Sequence, residues 1–312
     1  MTGHQGELRF DGQVAIVTGA GRGLGRAHAR LLAQRGAAVI VNDIGGSVDG
    51  AQGRSGEDPA ATVVGEIVSD GGVALADHSD VSDPVQAQAL VRAAVDAYGR
   101  VDIVVANAGI LRRRPFGETT IADLDALIAV HQRGTYSVCR AAWPHMAAQK
   151  YGRIITTISS ALFGIDNSAT YASAKGGVLG LSKVMAMEGA DVGIRVNMLA
   201  PVASTRMTAS GPAGARFAGN EMLSPDRVAV LVALLAHESC PMTGEMFMAS
   251  GARVSRLFLG QTPGVALGED PTPETLLASW PAVVSTDGFT VPQPRREGVI
   301  TAAAAGEAKP GN

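Results

Sequence analysis

The chain has 312 residues, 46% of them apolar and 18% charged, with a mean hydropathy of +0.16. It therefore carries enough apolar material for one large buried core and too little charge for a disordered protein. Lys and Arg number 26 against 29 Asp and Glu, a net charge of -3, and the longest basic run in the body of the chain is Arg112–Arg114, so a nucleic-acid surface is not expected. The longest apolar run, Val228–Ala236, falls far short of a membrane span, and Met1–Asp11 is polar with no secretory segment, so the expected protein is cytoplasmic and has no membrane partner.

The first apolar run, Val14–Thr18, leads into Gly19, Gly23 and Gly25, spaced G-x-x-x-G-x-G, and then directly into a helical pattern over Arg22–Gln34 that stops at Gly36. Glycines so placed permit a tight turn, close approach of a pyrophosphate and close packing of helix on strand, and the helix start supplies free N–H groups. The second run, Val39–Asn42, ends at Asp43, where a dinucleotide site wants a carboxylate for the adenosine ribose. The next stretch, Ile44–Asp58, is glycine-rich and too long for a simple connection; it is placed over the cofactor.

Alternation continues with a helix over Asp58–Ser69 before Gly71-Gly72, a strand at Val73–Ala76, Asp80-Val81, a helix over Asp83–Tyr98 closed by Gly99, and a strand at Ile103–Ala106 that opens on Asn107-Ala108-Gly109. Further strands are expected at Arg153–Ile158, Ile194–Leu199 and Glu245–Ala249. Unbroken apolar strands separated by crossover helices predict an α/β fold, a doubly wound, seven-stranded parallel sheet. Residues 1–251 are assigned to this Rossmann-like domain. Residues 252–312, with Trp280 and seven prolines from Pro263 to Pro310, are assigned to a C-terminal extension packed on it and fraying after Ile300. Val202–Asn220, rich in Ala, Gly, Ser and Thr, reads as a substrate lid or as a plain surface loop. Cys139 and Cys240 are too far apart in sequence to suggest a disulfide framework, and no metal site is expected.

Tyr171 and Lys175 stand four residues apart, on one face of a helix that runs to about Glu188, and follow Ser159-Ser160 at a strand end. With the glycine turn and Asn107-Ala108-Gly109 upstream, the combination resembles the short-chain dehydrogenase/reductase family over about Arg9 to Gly251. The resemblance implies an NAD(P)-linked exchange between a secondary alcohol and a ketone. Tyr171 exchanges the proton, its phenol pKa brought down by about three units, or roughly 4 kcal/mol, by the positive charge of Lys175 and the oxidised nicotinamide; Lys175 also binds the nicotinamide ribose, and a serine holds the substrate oxygen. That serine is assigned to Ser160, eleven residues before Tyr171 and closer than the family's usual spacing, with Ser159 as the alternative. The family's fourth catalytic position, commonly asparagine, falls on His131. The same resemblance adds Leu24, Val81, Ala108, Pro201 and Thr205 to the cofactor contacts, with Asp80 at the adenine.

One branch of the family carries such a histidine together with motifs found here, among them Asn42-Asp-Ile-Gly-Gly46, Arg140-Ala-Ala-Trp-Pro-His-Met146 and His237-Glu-Ser-Cys240. It is the dehydrogenase part of the type 2 peroxisomal multifunctional enzymes, whose continuation the segment around Trp280 also resembles. This implies oxidation of (3R)-3-hydroxyacyl-CoA by a free-standing homodimer or homotetramer; the final Lys-Pro-Gly-Asn is no peroxisomal address. Asp43 argues for NAD and Arg22, beside Gly23, for NADP; repulsion between a carboxylate and a 2′-phosphate favours NAD. Hydroxysteroid dehydrogenase, NADPH-dependent 3-ketoacyl reductase and a non-catalytic nucleotide-binding regulator are the competing readings.

Overall fold

Strands β1 (Val14–Thr18), β4 (Ile103–Ala106) and β5 (Gly152–Thr157) are buried at every residue, and β2 (Ala38–Asn42) at all but its first. Only strands covered on both faces need such sequences. The computed structural model describes residues 6–50, 56–210 and 214–292, and its contacts divide the chain into two units, Met1–Leu257 and Phe258–Asn312. In the first unit, β3 (Val73–Asp77), β6 (Ile194–Val202), β7 (Met246–Ser250) and β8 (Arg253–Leu257) complete a sheet of order β3-β2-β1-β4-β5-β6-β7-β8.

Helices α1 (Gly23–Gln34), α2 (Pro59–Ser69), α3 (Pro84–Tyr98), α4 (Ile121–Leu127), α5 (Gly134–Gln149), α6 (Ala169–Gly189), α7 (Arg206–Ala209), α8 (Gly214–Phe217) and α9 (Pro225–Ala236) fill the connections. Their starts are chemically marked: Asp58 accepts from the Ala61 N–H, Asp83 from those of Val85 and Gln86, and a proline opens both α2 and α3. One apolar cluster joins Leu32 of α1, Val63 and Ile67 of α2 and Val228 and Val232 of α9 to one face of the sheet. A second joins Leu90 of α3, Val138 and Met146 of α5 and Met185 of α6 to the other. Burying each such side chain contributes roughly 1.5–3 kcal/mol, so the two layers fix the sheet between them. The chain reverses direction across the sheet between β1 and β4, and the carboxyl ends of these strands open the crevice where ligands bind in such folds.

The expected seven-stranded, all-parallel sheet is corrected to eight strands. β8 pairs antiparallel with β7, from Ser250 opposite Arg253 to Met246 opposite Leu257. Gly251 makes the two-residue turn possible by taking φ +57°. The sheet thus extends beyond Gly251, the residue chosen as the domain end.

The second unit contains helix α10 (Pro273–Val284), capped by Thr272 and Thr275, a bridge between Gln261 and Thr290, and stacked Phe258 and Phe289 rings 5.6 Å apart. The fraying expected after Ile300 lies outside the described residues, as do 51–55 of the glycine-rich loop and 211–213 of the expected lid. Among the described residues no helix is long and apolar enough to cross a membrane.

Candidate active site

The strand-to-helix turn after β1 is built on missing side chains. Gly19 and Gly23 take φ +63° and +55°, a Cβ at Gly19 would sit 2.9 Å from the Ala108 Cα, and one at Gly25 would collide with the Gly19 carbonyl oxygen. The Asn107 amide donates to the Thr18 and Gly19 carbonyls at 2.9 and 3.2 Å, while Thr18 Oγ1 accepts the N–H groups of Asn107 and Ala108 at 3.0 Å. The ends of β1 and β4 are locked together by these bonds. Arg22, at the start of α1, offers no capping side chain, so the first N–H groups of that helix stay available to an anion.

A cleft of about 850 Å³ opens over this turn. One end of it is lined by Gly19, Arg22, Gly23, Leu24, Asp43, Asp80, Val81, Asn107, Ala108, Gly109 and Thr205; Gly25 lies behind the turn and Pro201 sits within β6, neither lining the cleft. Asp43 is oriented by the backbone, its two oxygens accepting N–H bonds from Gly21 at 2.9 Å and Gly45 at 2.7 Å. Arg22 is ion-paired to Glu57 at 3.3 Å. Sequence reasoning missed Arg206, which also faces the cleft; its pKa is lowered by burial and by the charge of Arg22, with Asp43 opposing.

Residues 44–50 of the glycine-rich loop form a wall of the cleft through Ile44, Gly46, Ser47, Val48 and Gly50. They are tied to the segment after β4: Val48 O accepts the Leu111 N–H at 2.8 Å, and Asp49 O accepts Arg112 Nε at 2.9 Å. Loop length signals an unusual role, but these partners more than sixty residues away carry no local mark.

At the opposite end α6 delivers Tyr171 and Lys175. Lys175 is 3% exposed; its ammonium donates to the Thr157 carbonyl at 2.5 Å and lies 5.8 Å from the Tyr171 ring centre, and burial pushes its pKa down to about 7. Burial raises the Tyr171 phenol, and a hydrogen bond from Ser159 and the charge of Arg113 act against it. Of the two serines, Ser159, the alternative, is the one that bears on the phenol. Ser160 begins a 3-10 turn, Ser160–Phe163, whereas Ser159 precedes it in extended backbone, φ -152°, and its hydroxyl also accepts the Ala161 N–H at 3.1 Å.

His131 lies in a π-helical turn, Ile128–Arg133, between α4 and α5, a local widening that recurs at functional sites. Its ring meets that of Tyr171 edge-on, with centres 5.2 Å apart and planes at 88°. The residue is 1% exposed, and burial, reinforced by the charge of Lys175, holds its pKa well below the usual histidine value despite the Ile110 backbone bond. The lowered pKa favours the neutral ring, whose Nε2 faces both the carbonyl oxygen and the N–H of Ile110, at 2.8 and 3.2 Å, while Nδ1 is buried without a hydrogen-bond partner among the described residues. The structure brings His131 beside Tyr171; the π-helical turn that does so has no signature in the sequence.

Comparison with known proteins agrees with this geometry. Residues 13–214 match the family model for short chain dehydrogenases. The chain is 42% identical over 294 residues to the peroxisomal multifunctional enzyme type 2 of Mus musculus, matching 93% of this chain but spanning only 39% of that enzyme. It is 38% identical over 263 residues to a hydroxyacyl-CoA dehydrogenase of Mycobacterium tuberculosis, covering 79% of this chain and 80% of that one. The crystal structure of a short chain dehydrogenase from Mycobacterium avium superposes with a TM-score of 0.76 at 39% identity, covering 88% of this chain and 94% of that chain. A glycine turn closed by Asn107, a buried lysine beside a tyrosine and serine, and a family match running through all of them make this chain a member of the short-chain dehydrogenase family.

Proposed function

We propose that this oxidoreductase is an NAD-dependent dehydrogenase that converts (3R)-3-hydroxyacyl-CoA thioesters to 3-ketoacyl-CoA. The substrate reading is carried by the similarity to a hydroxyacyl-CoA dehydrogenase across 80% of that protein's length. A dinucleotide fits the residues present, because the turn at Gly19 and Gly23 lines the cleft with bare backbone and Asp43 presents a fixed carboxylate at the end of β2. The N–H groups at the start of α1 would hold its pyrophosphate, Asp43 the adenosine ribose, Asp80 and Val81 the adenine surroundings, and Lys175 the nicotinamide ribose. When bound, the nicotinamide supplies the hydride acceptor. Asp43 favours NAD, since a 2′-phosphate facing its carboxylate is repelled even with Arg22 nearby.

The chain's own residues manage the proton. Ser159 holds the substrate hydroxyl against Tyr171, which removes its proton as the carbonyl forms. A phenolate in this buried site needs positive charge, which protonated Lys175 supplies; a lysine whose pKa is about 7 also passes a proton onward near neutrality. Neutral His131 offers its free Nδ1 to a water on that route.

Oxidation of 3-hydroxyacyl-CoA esters of graded chain length, followed as NADH or NADPH formation, tests this reading. We expect turnover chiefly with NAD, and far higher efficiency for the CoA ester than for the same hydroxy acid without CoA. Activity confined to hydroxysteroids, or equal efficiency with and without CoA, would reject the acyl-CoA substrate. In the same assay Ser159→Ala should lose at least about 100-fold in turnover and Ser160→Ala much less; the opposite order would return the role to Ser160.

A further inference from the structure

Among the described residues, the lysines and arginines that line the cleft are Arg22, Arg112, Lys175 and Arg206, and the first three are engaged. Arg22 is ion-paired to Glu57 at 3.3 Å, Arg112 lies 3.3 Å from Asp123 and donates to Asp49 O, and Lys175 donates to Thr157 O. The Arg206 guanidinium has neither an ion pair nor a hydrogen bond among the described residues. Its backbone position is nonetheless fixed. The preceding residue, Thr205, meets the glycine turn: a Cβ at Gly23, the first residue of α1, would lie 3.4 Å from Thr205 Cγ2. Thr205 Oγ1 accepts the Thr208 N–H at 3.3 Å, Thr208 Oγ1 accepts the Thr205 N–H at 2.9 Å, and the Thr208 hydroxyl donates to Ala203 O at 2.8 Å. The Ser204 N–H donates to Leu223 O at 2.7 Å. These bonds hold the start of α7 against the turn, and Thr205, Arg206 and Met207 all enter the lining of the cleft there. Burial lowers the Arg206 pKa, the charge of Arg22 adds to that and Asp43 opposes it; an anion beside the guanidinium would offset the penalty.

We propose that Arg206 is a cofactor-binding residue whose guanidinium takes a pyrophosphate oxygen of the dinucleotide, from the β6 side of the cleft. This inference rests on the dinucleotide reading above. A pyrophosphate carries two negative charges, and the N–H groups at the start of α1 answer them only with partial charge. Asp43 and Asp80, which line the same cleft, add negative charge, and Arg22 already faces Glu57. The full positive charge beside Gly23 is therefore left to Arg206, whose planar guanidinium matches phosphate oxygens with charge-assisted hydrogen bonds. The two phosphates are common to NAD and NADP, so the contact strengthens both and leaves the choice between them to Asp43.

Calorimetric titration of the unmodified protein, Arg206→Gln and Arg206→Lys with NADH, NADPH and ADP tests the assignment. ADP keeps the two phosphates and lacks the nicotinamide half. Loss of a charge-assisted hydrogen bond should weaken NADH and ADP alike by about 10- to 100-fold in Arg206→Gln, and flatten the salt dependence of both. Arg206→Lys should recover part of that loss, and the melting temperature of the ligand-free protein should not change, because the guanidinium has no partner to lose. A loss confined to NADPH would make Arg206 a reader of the 2′-phosphate and overturn the proposal. So would a loss confined to NADH, which would move the contact to the nicotinamide half, or unchanged affinity for all three. Failure of the unmodified protein to bind either dinucleotide would instead defeat the dinucleotide reading, and this assignment with it.

Discussion

Lys175 has conflicting duties. Its ammonium is useful to Tyr171, yet it is enclosed with one carbonyl partner, and burial lowers its pKa from 10.5 to about 7. The sign of the resulting pH dependence follows from proton counts: between about pH 7 and 10.5 the unfolded chain binds a proton that the folded protein does not, so stability gains from rising pH across that window. Below it the full penalty of a buried charge is present. Lys175→Met keeps the length of the side chain and removes the charge, so the cofactor-free variant should melt about 5 °C higher at pH 6. The gain should shrink as pH approaches 10, and turnover should vanish at every pH. Melting curves at pH 6 and pH 9 check this; a variant less stable than the parent at pH 6 would mean that the Thr157 bond outweighs desolvation.

At the scale of elements, the site depends on the segment after β4 meeting the π-helical turn. A Cβ at Gly109 would run into the His131 ring, with Nδ1 at 3.0 Å, and the next residue, Ile110, holds that ring through its carbonyl. Gly109→Ala should therefore move His131 away from Tyr171 and lower turnover by about 10-fold or more. His131→Ala should lower it comparably, and the double variant should be no worse than His131→Ala alone, because the methyl then has no ring to displace. Additive losses in kcat would show that Gly109 acts on something other than His131. Such couplings explain what the sequence reveals and what it conceals. Gly19, Gly23, Asp43, Tyr171 and Lys175 are legible because their chemistry is local: a turn, a strand end and two neighbours on a helix face. The choice between Ser159 and Ser160 depends on where a 3-10 turn begins, and the π-helical turn depends on tertiary contacts around His131. Neither has a periodicity to read.

For the whole molecule, alternating apolar strands and capped helices make the doubly wound order legible, while the final hairpin is not. Arg253-Val-Ser-Arg-Leu257 is largely exposed, and only its pairing with β7 makes it a strand. That strand bears on where the folding unit ends. The clusters of buried apolar residues reach no further than Ala249, with Leu257 partly buried against one of them, and α10 in the second unit has no buried residue. Since stability comes mainly from buried apolar surface, the first unit retains its core without the second. A chain stopped after Leu257 should melt cooperatively within about 5 °C of the full chain and keep its affinity for the dinucleotide. A chain stopped after Gly251 removes β8, the Glu245–Arg256 ion pair at 2.7 Å and the cover over the edge of β7, and should melt lower and aggregate more readily. Calorimetry and dinucleotide titration of the two truncations separate the boundaries: equal stability would place the end of the unit at Gly251, and failure of the longer chain to fold would show that the first unit needs residues beyond Leu257.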